Sequence, residues 1–287
     1  PPRSTLFPYT TLFRSPETAA RVKEFETQIK ALEKETPVFP RAMGVVEGKP
    51  ADLRIHLRGN HLTLGDTVPR RFLRVIAGEG QPAIPPDRSG RLELARWLTE
   101  PSHPLTARVM VNRIWRWHFG RGIVASVDNF GRLGDAPSNQ PLLDWLALRF
   151  LESGWSVKQM HRLIMLSSVY QMSTAYNEKA FQADPDNQLL WRMNRRRLEA
   201  EAIRDSLYAV SGLLDTSAGG TMLTFKDREY VTSTENRDST DYNAARRAIY
   251  LPVVRSSLYD VFQAFDFGDP SVLNGDRPTT IVAPQAL

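Results

Sequence analysis

The densest run of chemically capable side chains lies at residues 89–135, SGRLELARWLTEPSHPLTARVMVNRIWRWHFGRGIVASVDNFGRLGD. It holds three of the six Trp and two of the five His. Within it Arg108, Asn112 and Arg116 stand four residues apart, with Arg113 beside them. On a helix that spacing makes one stripe of fixed donors. Such a stripe could bind an anion. It could equally pair with carboxylates of neighbouring helices, with Asp144, Glu199 and Glu201 as partners. His118 follows Trp115 and Trp117 and projects to the apolar side. It is either a hydrogen-bonded core histidine or a base or ligand in a pocket walled by Trp117.

The loop Asp128-Asn129-Phe130-Gly131-Arg132-Leu133-Gly134-Asp135 carries two carboxylates. Oxygen-rich loops of this kind hold Ca²⁺, but the spacing is not that of a helix–loop–helix calcium site. A tight Gly-dependent turn explains the composition as well. Asp128 and Asp135 could also form a carboxylate pair for glycoside hydrolysis. Arg195, Arg196 and Arg197 precede a helical pattern, where cations are mildly unfavourable. That points to carboxylate partners elsewhere or to a solvated face. Asp266 and Asp269, with Arg277, Thr279 and Thr280, combine acids, a base and hydroxyls in irregular chain. They suit a binding loop or simple packing.

Composition removes several alternatives. The 287 residues include no Cys, so a disulfide framework, a covalent c-type haem and a Cys-based zinc site are excluded from this chain. The five His show no His-x-x-x-His or Glu-x-x-His pair, so no metal site is expected. No phosphate loop or nucleophile elbow occurs. No apolar run is long enough to span a membrane. Net charge is +5, and 30 of the 37 basic residues are Arg. They are interspersed with Asp, Glu and Trp, as in internal ion-pair networks, and nucleic acid is not the expected partner.

Periodicity supplies the elements. Residues 1–15 repeat Thr-Leu-Phe and resemble a translated adapter remnant. Residues 16–40 predict a connector helix with Val22, Phe25, Ile29 and Leu32 on a two-helix seam, stopped by Pro37 and Pro40. Residues 41–88 predict a small β subdomain and linker, with strands at 43–46, 53–57 and 68–76. The core domain, 89–214, predicts helices at 90–99 (capped by Ser89), 104–119, 140–153, 157–171 and 195–212 (capped by Asn194). Trp117 is expected on the apolar face of the second. Leu198, Ile203, Leu207 and Val210 are expected inward on the last. Ser156-Val157-Lys158-Gln159 is a capping box, with Trp155 and Met160 as its staple. Residues 178–190 suggest a loose acidic connection. Residues 215–287 predict a long irregular excursion, with a strand at 248–254, a short helix at 257–265 and a truncated end.

Five motifs in order then carry a family resemblance. They are LELARWLTEPSHPLTARVMVNRIWRWHFGRGIV, VDNFGRLGDAPSNQPLLDWLA, GWSVKQMHRLIMLSSVYQMST, NRRRLEAEAIRDSLYAVSG, and FDFGDP with PTTIVAPQAL. Residues 70–287 thereby resemble the planctomycete-specific C-terminal domain of unknown function that accompanies planctomycete cytochrome c-type modules. The resemblance implies a secreted or periplasmic multidomain protein. Any c-type haem would sit on upstream modules of the same polypeptide. It brings no established reaction and no catalytic residues. Members often show Arg-Gly-Asp where this chain has Arg58-Gly59-Asn60.

The expected fold is mainly α, with a small N-terminal β subdomain. The expected function is a non-catalytic interaction module that docks a redox protein or a polysaccharide. A hydrolase using His118, Asp128 and Asp135 is the alternative, and binding of an anionic polymer through Arg is the third.

Overall fold

The computed structural model describes residues 16–35, 44–222, 242–255, 258–272 and 274–285. The adapter-like segment, the Pro37 and Pro40 stop and the middle of the 215–245 excursion lie outside these residues. So does Met43 of the strand expected at 43–46. The fold is mainly helical with one small antiparallel sheet. The chain divides into two units, Pro1–Ala51 with Pro86–Ser89, and Asp52–Pro85 with Gly90–Leu287.

In the first unit, helix α1 spans Pro16–Glu35. Phe25, Ile29 and Leu32 of its predicted seam are exposed. Residues 44–51 form no strand, contrary to expectation. Instead Glu47 accepts hydrogen bonds from the Ser89 N–H at 3.1 Å and its hydroxyl at 2.7 Å. Ser89 therefore caps no helix.

The second unit begins with a hairpin, β1 Leu53–His56 and β2 Leu64–Val68, paired in register Leu53 to Val68. Both strands are largely exposed, so the alternation of Leu53 and Ile55 buries no face. The third strand expected at 68–76 is replaced by the end of β2 and the short helix α2, Arg74–Ala77. Phe72 stacks on Trp97 with centroids 4.8 Å apart, and Trp97 meets His103 edge-on at 4.6 Å. These rings dock the post-hairpin segment on helix α3, Arg91–Thr99.

The core is built by α4 Thr106–Phe119, α5 Gln140–Glu152 and α6 Val157–Met165. Val111, Ile114, Trp115 and Phe119 of α4 pack against Leu143, Leu146 and Phe150 of α5 and Met160 and Ile164 of α6. Asn139 caps α5 through a 3.0 Å bond from the Leu142 N–H. Ser156 caps α6 in the same way, from Gln159 N–H at 3.3 Å. Trp155 packs edge-on against Phe150 of α5 at 5.2 Å, and the Ser156 N–H goes to the Ser153 hydroxyl at 3.3 Å, not to Gln159 as the expected capping box would have it. Helix α6 stops at Met165, short of the predicted 171, because the Ser167 hydroxyl bonds the Ile164 carbonyl and the chain turns. Trp117 departs from the predicted apolar face and is 41% exposed.

Within the acidic connection, α7 Glu178–Ala183 forms under an Asn177 cap. Helix α8 spans Ala200–Val210, not 195–212. Asn194 does not cap it. Residues 195–198 stay outside the helix because the Arg196 and Arg197 guanidiniums are held elsewhere, as described below. The inward positions of α8 are Ala200 and Arg204, while Leu198, Leu207 and Val210 are exposed. Residues 248–254 form a 3₁₀ turn, Ala248–Tyr250, in place of a strand. Ala248 and Leu251 join Ala200 and Phe262 in a second apolar cluster. Phe262 comes from the short helix α9, Asp260–Ala264.

Candidate anion-binding site

The C-terminal end of α4 is the floor of the site. Its last carbonyls lack intrahelical donors and carry the negative end of the helix dipole. Arg196 supplies one donor, from Nη1 to the Trp117 carbonyl at 2.8 Å. Asn194 supplies another, from Nδ2 to the Phe119 carbonyl at 3.0 Å. Gly120 ends the helix at φ 84°, a left-handed conformation that favours glycine. A Cβ at Gly120 would stand 2.7 Å from Arg196 Cδ, so the arginine lies flat across the helix end.

The opposite wall is C-terminal chain. Arg197 donates to the Asp266 carboxylate, to the Thr280 carbonyl and to Gln285 Oε1. Asp266 also accepts from the Thr280 N–H at 2.7 Å and the Thr280 hydroxyl at 2.8 Å. The Thr280 N–H and the Arg197 guanidinium hold the Asp266 carboxyl at a pKa of about 2, below the usual 3.8. Arg277 donates to Glu201 at 2.7 and 2.9 Å and to Glu199 at 3.2 Å. Hydrogen bonding to Glu201 raises its affinity for its proton. Arg116 donates through Nη2 to Asp276.

These segments enclose a cavity of about 210 Å³ lined by Arg116, Gly120, Arg195, Arg196, Arg197, Glu199, Asp266 and Arg277, among others. Five guanidiniums thus face two carboxylates. Burial lowers the Arg116 pKa; Glu199 opposes this, and Arg196 and Arg277 add to it by repulsion. The Nε atoms of Arg116 and Arg197 are buried without a hydrogen-bond partner. An adjoining cleft of about 710 Å³ shares Arg196, Arg197, Leu198 and Glu199 and adds Trp117 and Ile249. Arg116 and Arg277 lie over the Trp117 ring at 4.4 and 5.9 Å.

The remaining sequence candidates lie elsewhere. Arg108 pairs with Asp144 at 2.6 Å. Asn112 is fully buried and holds Val124 by both backbone groups, at 3.0 and 2.9 Å. Arg113 pairs with Asp128 at 3.2 Å, and Asp128 also accepts from the Gly275 N–H. His118 Nε2 meets His161 Nδ1 at 2.7 Å between α4 and α6, with Tyr170 edge-on at 5.3 Å. Burial lowers its pKa, and His161 and Arg196 reinforce that. Asn129 takes the Gly131 N–H at 3.0 Å in the turn that also holds exposed Arg132 and Asp135. Asp269 closes another turn on Ser271 N–H at 2.8 Å. None of these nine residues lines the cavity. Among the described residues, no three of His, Asp and Glu gather as a metal-ligand set.

Sequence reasoning singled out Arg116, Arg195, Arg196, Arg197, Asp266 and Arg277 separately, and the fold brings them together. It missed Asp276 and Gly120. The only local hint of Asp276 is its place beside Arg277 in irregular chain. Gly120 directly follows the helix expected at 104–119, but nothing local marks it as the seat of Arg196.

No curated protein and no solved structure matches the chain. A family model does match, over residues 90–287, which include the helical core and every residue lining the cavity. The chain therefore belongs to the PSD1 family, proteins of unknown function (DUF1553).

Proposed function

We propose that this domain is a non-catalytic interaction module whose partner presents an anionic group to the arginine-lined cavity. The observation that carries this reading is the gathering of Arg116, Arg195, Arg196, Arg197 and Arg277 around one concavity. Guanidiniums bind carboxylates, sulfates and phosphates through paired N–H donors. The groups a hydrolase would need are engaged elsewhere, His118 with His161 and Asp128 with Arg113. A concave cavity beside an exposed Trp fits a small group on a polysaccharide better than the broad face of a redox protein. The resemblance supports a secreted or periplasmic polypeptide of planctomycete type, with this domain downstream of cytochrome-associated modules. The absence of Cys puts any covalent c-type haem on those modules. Among the described residues no helix is long and apolar enough to cross a membrane.

The test is a glycan array probed with the whole chain and with an Arg195→Ala/Arg196→Ala double variant. Both side chains are exposed, so the fold should survive. Acidic glycans should be retained by the parent and lost by the variant. Turnover of a model ester that depends on His118 or Asp128 would overturn the reading. So would glycan binding indifferent to the double variant.

A further inference from the structure

Two donors on residues that line the cavity have no acceptor. Arg116 is 7% exposed, and its Nε is buried and unbonded although its Nη2 is held by Asp276. Arg197 spends both terminal nitrogens on Asp266, Thr280 and Gln285, and its Nε is likewise buried and unbonded. A buried guanidinium N–H without an acceptor is costly, and native folds rarely leave one idle. Beside them Arg195 and Arg196 have no carboxylate partner among the described residues; with Glu199 and Glu201 both on Arg277, the cluster of five Arg and four carboxylates keeps one net positive charge.

Geometry selects the acceptor. A carboxylate offers only two oxygens, both in one plane. Here the idle donors belong to different guanidiniums, on α4 and on the 195–197 segment. A tetrahedral group presents three oxygens in three directions and can take donors from both. The volume of about 210 Å³ holds such a group with a few waters, at about 30 Å³ per water. The net single positive charge suits a sulfate monoester or a phosphate monoester, the latter at about −1.5 to −2 near neutral pH.

Resting on the interaction-module reading, we infer that the cavity is a receptor for a tetrahedral oxyanion, a phosphate or sulfate monoester carried by a larger ligand. Arg116, Arg195, Arg196 and Arg197 hold it. Asp276 is the internal counter-ion that shares Arg116 with it. The body of the ligand extends along Trp117 in the adjoining cleft.

Calorimetric titration of the whole chain with inorganic phosphate, sulfate and acetate tests this. Phosphate and sulfate should bind and displace each other, and acetate should bind at least tenfold more weakly. Arg196→Ala should weaken oxyanion binding about tenfold, the scale of one charge-assisted contact. Asp276→Asn should strengthen it. Titration with phenyl phosphate and phenyl sulfate on either side of about pH 6 separates the two sources. A site built for phosphate monoesters gains affinity for phosphate as its second proton leaves, whereas one built for sulfate is indifferent. Acetate binding as tight as phosphate, no binding of either oxyanion, or binding unaltered in Arg196→Ala would each overturn the inference. If a carboxylated glycan still binds through Arg195 and Arg196, only the oxyanion claim fails and the module reading stands.

Discussion

Arg116, buried near the end of α4, is bound to Asp276, which lies 160 residues further along the chain. The pair ties the irregular C-terminal segment to the helical core and sets one side of the cavity. Asp276 is 56% exposed, so its share of the Coulomb energy is screened by water. Asp276→Asn should therefore cost at most about 1 kcal/mol of global stability. Its local effect should be larger. Amide hydrogen exchange of residues 274–280 should accelerate while that of α4 and α5 is unchanged. Equal acceleration in α4 would show that the pair holds the core itself.

The His118 side chain predicts a pH dependence. Its folded pKa lies below the ordinary 6.5 because burial disfavours the imidazolium, with His161 and Arg196 adding repulsion. Below pH 6.5 the unfolded chain takes up a proton that folded His118 refuses. Stability contributed by the neutral ring is thus complete above 6.5 and is lost as the pH falls toward the lowered value. Thermal unfolding between pH 5 and 8 should show this decline in the parent chain. His118→Gln should flatten it. An unchanged slope in the variant would assign the decline to other groups.

Arg204 is a structural arginine on α8, at 2% exposure. It donates to the carbonyls of Arg246, Tyr242 and Ala244 at 2.8, 3.1 and 2.6 Å and stacks on Tyr208. Arg204→Met fills similar space but leaves three carbonyls without their donor. The expected loss is on the order of 3 kcal/mol, from part-buried acceptors left unmet. Denaturant unfolding would measure it. Oxyanion affinity should hold wherever the variant is folded, since Arg204 does not line the cavity.

Gly120 joins fold to site. Gly120→Ala places a methyl on a residue at φ 84° and 2.7 Å from Arg196 Cδ. The backbone cost is about 1 kcal/mol. The more telling effect is displacement of Arg196 from the Trp117 carbonyl. Oxyanion binding should weaken together with the Tm. A variant that loses stability but keeps full affinity would show that Arg196 needs no seat on the helix end.

What could be known from sequence was local. The apolar period of 106–119 and 140–152 and the caps at Asn139 and Ser156 are set by neighbours a few residues away. Their hydrogen bonds and side-chain spacing are written in consecutive positions. The polar stripe of α4 was legible as a stripe, but not its division of labour. Arg108 meets Asp144, Asn112 is sealed inside against Val124, and Arg116 turns to the cavity. That division depends on which chain passes each turn of the helix. Tertiary structure also decided where α8 begins. Arg196 and Arg197 gain acceptors at Trp117, Asp266 and Thr280 only by leaving residues 195–198 out of the helix. Residues 116, 195–197 and 277 share no period and no motif. Only chain folding back from a second cluster, pinned by Asp266 and Asp276, could gather their charges around one cavity.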